Sequence, residues 1–152
     1  MKISFNNKAQ GGFTLIELIV VIVILGILAA TALPKFASLS GDARMASLQA
    51  AKGSLTSASA MLHGKWLVNP QASYTYDGIT VTMANGYPNS DTIAAAAGLS
   101  DDDYTPTPNG QDVSFKPKNL PNNLNNCFVR YRGATGPARP VPVIEVGAGP
   151  CE

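Results

Sequence analysis

Hydrophobic and polar positions divide the chain into three stretches of different texture. Residues 1–12, MKISFNNKAQGG, are polar, carry Lys2 and Lys8, and end in a glycine pair. Residues 13–33, FTLIELIVVIVILGILAATAL, then run apolar with a single charge, Glu17. As a helix this run spans roughly 31 Å, about the thickness of a bilayer's hydrocarbon core. Positive residues precede it, which predicts that the leader stays in the cytoplasm and the rest faces outward.

Pro34 follows and removes a backbone donor, predicting a kink, yet helical spacing resumes at once. Phe36, Leu39, Ala43, Ala51, Leu55, Ala58, Leu62 and Trp66 fall three or four apart, with Ser47 in the missing place. Asp42, Arg44, Gln49 and Lys52 take other faces. The pattern predicts one helix over about residues 13–67, apolar all round at first and striped later, ended by Asn69-Pro70. Gly41 and Gly53 weaken it, each by about 1 kcal/mol relative to alanine.

After Pro70 the period changes. Tyr74-Thr75-Tyr76, Asp77-Gly78 and Ile79 to Met83 predict a hairpin across a two-residue turn, closed off by Asn85-Gly86 and Pro88. Asp91 is placed to cap a short helix, Thr92 to Ala97, which Gly98 stops. Residues 100–112 read as loop. Val113 to Phe115, Cys127 to Tyr131 and Val141 to Val146 read as three further strands. Dense Pro, Gly and Asn between them exclude long helices.

The predicted fold is therefore α+β, a long N-terminal helix packed on a small antiparallel sheet. It parses as a leader (1–12), a hydrophobic transmembrane helix (13–34), an amphipathic half-helix (35–68) and a sheet head with a C-terminal disulfide loop (69–152). A bare apolar rod is unstable in water, so it needs a membrane or copies of itself.

Composition narrows the function. With 14% charged residues and a net charge of +1, the chain lacks the basic excess of a nucleic-acid binder. Charge is unevenly placed: Asp101 to Asp112 holds four acids and no base, and Lys116 to Arg139 five bases and no acid. Cys127 and Cys151 fit no zinc spacing, and His63, near the predicted helix end, reads as a surface or rim histidine. A pair closing a loop fits an oxidising compartment. Asp101, Asp102, Asp103 and Asp112 offer oxygen ligands for calcium, but read better as a solvated loop. No nucleophile–base pairing is visible, so neither catalysis, a metal nor a cofactor is expected.

The junction Gly11-Gly12-Phe13-Thr14-Leu15-Ile16-Glu17 resembles the type III signal of type IV prepilins, and the match continues to Pro34. That resemblance implies cleavage after Gly12 by a dedicated membrane peptidase, which then N-methylates Phe13. Downstream, PKFASLSGDARMASLQAAKGSLTSASAMLHGKW looks like the mannose-sensitive haemagglutinin branch of the family. The resemblance covers about residues 1–66. It implies a structural subunit held in the bacterial inner membrane and then assembled into an extracellular pilus. The implied partners are copies of the chain, the prepilin peptidase and the assembly machinery, with surface glycans among the targets of attachment. It also implies that the helix around Gly26 and Pro34 melts locally on assembly.

Glu17 carries its own argument. A carboxylate among apolar residues is costly in a membrane and asks for a partner. Cleavage after Gly12 creates one, because the new α-amino group of Phe13 is mostly protonated at neutral pH. A neighbouring subunit's amine meeting Glu17 would fix the axial register of a filament. Two other readings compete. A pseudopilin of a type II secretion system shares this N-terminus. An ordinary secretory signal, cut at Ala30-Thr31-Ala32, would release a periplasmic protein; the carboxylate at Glu17 and the uninterrupted helix pattern weigh against it.

Overall fold

The computed structural model of the protein describes residues 12–118, 120–121, 124–149 and 151. The first eleven residues of the expected leader lie outside these. The element order is α1 (Leu15–Val68), β1 (Ser73–Tyr76), β2 (Ile79–Ala84), β3 (Tyr87–Pro88), α2 (Ile93–Ala96), β4 (Tyr104–Asn109), β5 (Asp112–Pro117), β6 (Val129–Arg132) and β7 (Val143–Val146). The chain divides into two units, residues 1–37 and 38–152. The fold is α+β, a long N-terminal helix packed on antiparallel sheet, as the alternating textures predict.

In the first unit α1 is all but unburied. From Leu15 to Leu33 it is long and apolar enough to cross a membrane, and none of that window is buried within the chain. Ile16, Leu18, Ile22, Leu25 and Leu28 are each more than half exposed.

In the second unit α1 lays a stripe into the core. Leu48, Ala51, Leu55, Ala58 and Leu62 are all buried, and the contacts run first to the larger sheet and then to the smaller one. The expected stripe is corrected towards its N-terminal end. Leu48 is fully buried, whereas Ala43 and Ser47 are exposed and Leu39 is 58% exposed. At 3.6 residues per turn, each four-residue step overshoots a full turn by about 40°, so the series 51, 47, 43, 39 walks roughly 120° around the helix. Leu48, seven residues before Leu55, stays on the same side. The side chain of Phe36 lies outside the described residues.

The strands form two sheets, where the sequence suggested one. The first has the order β1-β2-β3, the second β4-β5-β6-β7, and all pairings are antiparallel. Asp77 and Gly78 both take left-handed backbone (φ 48° and 78°), as do Asn85 and Gly86 (φ 50° and 80°). That is the requirement of a type I′ turn, so Asp-Gly joins β1 to β2 and Asn-Gly joins β2 to β3. The second turn also sits tightly against α1: a methyl on Gly86 would stand 3.1 Å from the Trp66 ring.

Two local expectations are corrected. The N-cap of α2 is Thr92 rather than Asp91, and Asn89 Oδ1 accepts from both the Thr92 backbone N–H (3.1 Å) and its hydroxyl (2.6 Å). Part of the 100–112 loop is the strand β4, pairing residue by residue with β5 from Tyr104↔Pro117 to Asn109↔Asp112. Its prolines, Pro106 and Pro108, point to loop by composition, but β4 is an edge strand. Two residues apart, they occupy equivalent ladder positions, where an edge can turn the missing N–H outward.

The main core joins Leu48, Leu55 and Ile93 from the helices to Val113, Phe115, Val129 and Tyr131 from β5 and β6. A smaller cluster joins Leu62 to Tyr74 and Val81, with Trp66 packed against it. Cys127 and Cys151 form a disulfide whose Cα atoms are 5.2 Å apart, both buried in the main core. Arg44 on α1 donates to the Cys151 carbonyl at 2.8 Å, so Cys151 is tied to the helix as well as to Cys127.

Candidate assembly site at the N-terminal junction

The residues singled out in the sequence stand in a row at the start of α1. Gly12 has open space around it, with nothing within 4 Å of where a side chain would begin. Phe13 is 94% exposed. Thr14 is the residue before the helix, and Glu17 lies in its first turn.

Thr14 and Glu17 bond each other reciprocally. The Glu17 carboxylate oxygen Oε2 accepts from the Thr14 backbone N–H and from its hydroxyl, each at 2.8 Å. The Glu17 N–H in turn donates to Thr14 Oγ1 at 3.3 Å. This is a capping box, which satisfies free donors at a helix start and fixes where the helix begins. The sequence expectation takes Glu17 only as a charge within the membrane that meets a neighbour's amine, and it does not include Thr14. The signal was present, since Thr14-Leu15-Ile16-Glu17 has the Thr-x-x-Glu spacing of such a box.

The arrangement leaves Oε1 without a bond from Thr14. One oxygen of Glu17 therefore serves its own helix while the other remains able to meet an amine. The negative charge also stands at the positive end of the helix dipole, where it is favoured. The chemistry available here is structural. Among the described residues, no three His, Cys, Asp or Glu side chains group to hold a metal ion.

The other candidates are scattered through the head. His63 is half-buried, stacked on Tyr87 with ring centroids 4.0 Å apart, and its Nδ1 lies 2.7 Å from the Gly86 carbonyl oxygen. A carbonyl oxygen can only accept, so Nδ1 is the donor in this contact. Asp112 does not join Asp101 to Asp103. It takes Arg139 at 2.7 Å and Arg132 at 3.3 Å, one carboxylate serving two guanidinium groups. Pro34 lies within the helical span of α1, and its side chain is outside the described residues.

Residues 7–33 match the family described as the prokaryotic N-terminal methylation motif. The chain is also similar to the type IV narrow pilus major component PilA5 of Thermus thermophilus, 50% identical over 50 residues. That stretch is 33% of this chain and 43% of the relative, so the match spans less than half of either. No solved structure matches. The N-terminal segment is thus type IV pilin-like, and the helix-on-sheet architecture is consistent with the type IV pilin fold.

Proposed function

We propose that the chain is the precursor of a type IV pilin that is cut after Gly12, N-methylated on Phe13 and polymerised into an extracellular filament. One observation carries this reading: an apolar helix with no buried residue from Leu15 to Leu33 begins directly beyond the Gly12–Phe13 junction. Such a surface is stable only in a membrane or against like surfaces, and a pilin uses both in turn. The methylation motif over residues 7–33 supports the processing step. The likeness to a pilus major component supports the polymer.

In this reading residues 1–12 are the leader, 13–34 the transmembrane and assembly helix, 35–68 its amphipathic continuation and 69–152 the head. Inner-membrane residence precedes export through an assembly machine, and the peptidase acts first. Glu17 sets axial register by pairing with the Phe13 amine of a neighbouring copy, and the helix around Pro34 is where it yields during assembly. The downstream likeness to the mannose-sensitive haemagglutinin branch favours a filament that attaches cells to surfaces, glycans among them.

Mass spectrometry of the mature chain tests the reading. A chain beginning at methylated Phe13, recovered from sheared surface filaments, is the expected result. A mature chain beginning at Leu33 would identify an ordinary secreted protein. Correct processing without surface filaments would point instead to a pseudopilin of a secretion apparatus.

A further inference from the structure

The head carries two charged features that one copy of the chain cannot bring together. A cleft of about 400 Å³ lies between α2 and β4, floored by Ala94, Leu99, Pro106 and Phe115 and rimmed by Asp91 and Asp101. Both carboxylates are exposed, and neither has an ion-pair partner within 4 Å among the described residues. An apolar floor under an acidic rim fits a side chain with an aliphatic stem and a cationic tip, which is the form of lysine and arginine.

The outer face of the larger sheet supplies such side chains. Val113 and Phe115 on β5 and Val129 and Tyr131 on β6 turn into the core, so Ser114, Lys116, Arg130 and Arg132 turn outward by strand alternation. The cleft lies on the Val113 and Phe115 side, across the sheet from these residues. Cations on this face exceed its anions. Asp112 is shared by Arg132 and Arg139, Glu145 meets Arg130 at 3.6 Å, and Lys116 has no ion-pair partner within 4 Å among the described residues.

We propose that the acid-rimmed cleft between α2 and β4 receives Lys116 and Arg130 from the outer sheet face of a second copy. The inference rests on the filament reading above. Two further points favour this occupant. Pro106 and Pro108 deprive the β4 edge of donors, so copies meet there through side chains and not by adding a strand. Contact between two different patches is heterologous, and repeated heterologous contacts whose rotation does not close into a ring generate open helical polymers, where self-complementary patches close into dimers. Exposed ion pairs of this kind weaken with salt, so the contact holds more tightly at low ionic strength.

Charge exchange in a filament-forming strain tests it. Asp91→Lys with Asp101→Lys, and separately Lys116→Glu with Arg130→Glu, are expected to lower sheared-filament yield at least fivefold while leaving processing at Phe13 intact. All four changes together are expected to return yield to within twofold of the parent. As a second measurement on parent filaments, a carbodiimide, which joins a carboxylate to an amine with loss of water, is expected to give covalent dimers linked from Lys116 to Asp91 or Asp101. Lys116→Arg is expected to remove them. Undiminished yield in either double variant, or dimers lacking that link, overturns the contact while leaving the pilin reading in place. A parent strain with correctly cut chain and no filaments overturns the reading itself, and the contact with it.

Discussion

At the scale of single residues, the capping role of Glu17 and the register role proposed for it rest on one carboxylate, and substitution can separate them. Its Oε2 closes the capping box with Thr14, which needs an acceptor but no charge. Pairing with a neighbour's amine needs the charge. Glu17→Gln keeps the cap and removes the charge, whereas Glu17→Val removes both. If register depends on the ion pair, both variants are expected to be cleaved and membrane-inserted yet to yield far fewer filaments. Parental filament yield from Glu17→Gln would assign the residue to capping alone. Tyr131 is a second separable case. Its buried hydroxyl donates to the Pro88 carbonyl at 2.7 Å, and burial pushes its phenol up to about 12. A raised folded value favours the protonated form, so the contribution is complete below the unfolded value near 10 and is lost as pH rises towards 12. The loss amounts to about 2–3 kcal/mol at most. Melting of the detergent-solubilised chain is expected to show this extra fall above about pH 10. Tyr131→Phe is expected to lack it and to begin about 1–3 kcal/mol less stable, because the Pro88 carbonyl is left buried without a donor.

At the scale of elements, glycine positions distinguish slack from necessity. Gly53 lies exposed on α1, and an added methyl there would meet nothing within 4 Å. Gly53→Ala is expected to stabilise the head by up to about 1 kcal/mol. Gly147, just after β7, donates to the Phe128 carbonyl at 2.8 Å, and a methyl would run into the backbone carbonyl of Asn126. Gly147→Ala is expected to cost about 1–3 kcal/mol, since backbone cannot step aside as a flexible side chain does. Parallel thermal melts check both signs. The same elements show how far a sequence can be read. The Asp77-Gly78 hairpin and the β5 and β6 cores rest on contiguous residues with local geometry and are readable directly, as is the methylation motif over residues 7–33, though the Thr14–Glu17 box inside it is not part of that reading. The helix stripe below Ala51 was misjudged because repeated four-residue steps accumulate rotation that spacing alone conceals. β4 was hidden because its two prolines are tolerated only at a sheet edge, and edge position is set by the pairing of distant strands. The charged outer face was invisible for the same reason: Asp112 meets Arg132 only through the β5–β6 register.

At the scale of the whole molecule, one bond, Cys127–Cys151, ties the segment beyond β7 back to the approach to β6. Cys127 precedes β6, Cys151 follows β7, and their bond spans a sequence separation of 24. Closing a loop of that length contributes about 3–3.5 kcal/mol on the chain-entropy account, a large fraction of a small head's stability. Between them Gly133, Gly136, Pro137, Pro140 and Pro142 give little local propensity, so β7 relies on its four-residue register with β6 and on the bond beyond it. Cys151 also holds its carbonyl against Arg44 on α1, so losing the bond loosens a contact with the helix as well. Cys127→Ser, or growth without disulfide catalysts, is therefore expected to lower the level of mature protein through proteolysis of the freed tail. The cleavage proposed at the Gly12–Phe13 junction, which belongs to the 1–37 unit, is expected to proceed normally. Intact mass of filament protein reads the bond directly, because a disulfide makes the chain about 2 Da lighter than its reduced form. Fully reduced mass with free thiols at both positions in assembled filaments would show that the head closes without the bond.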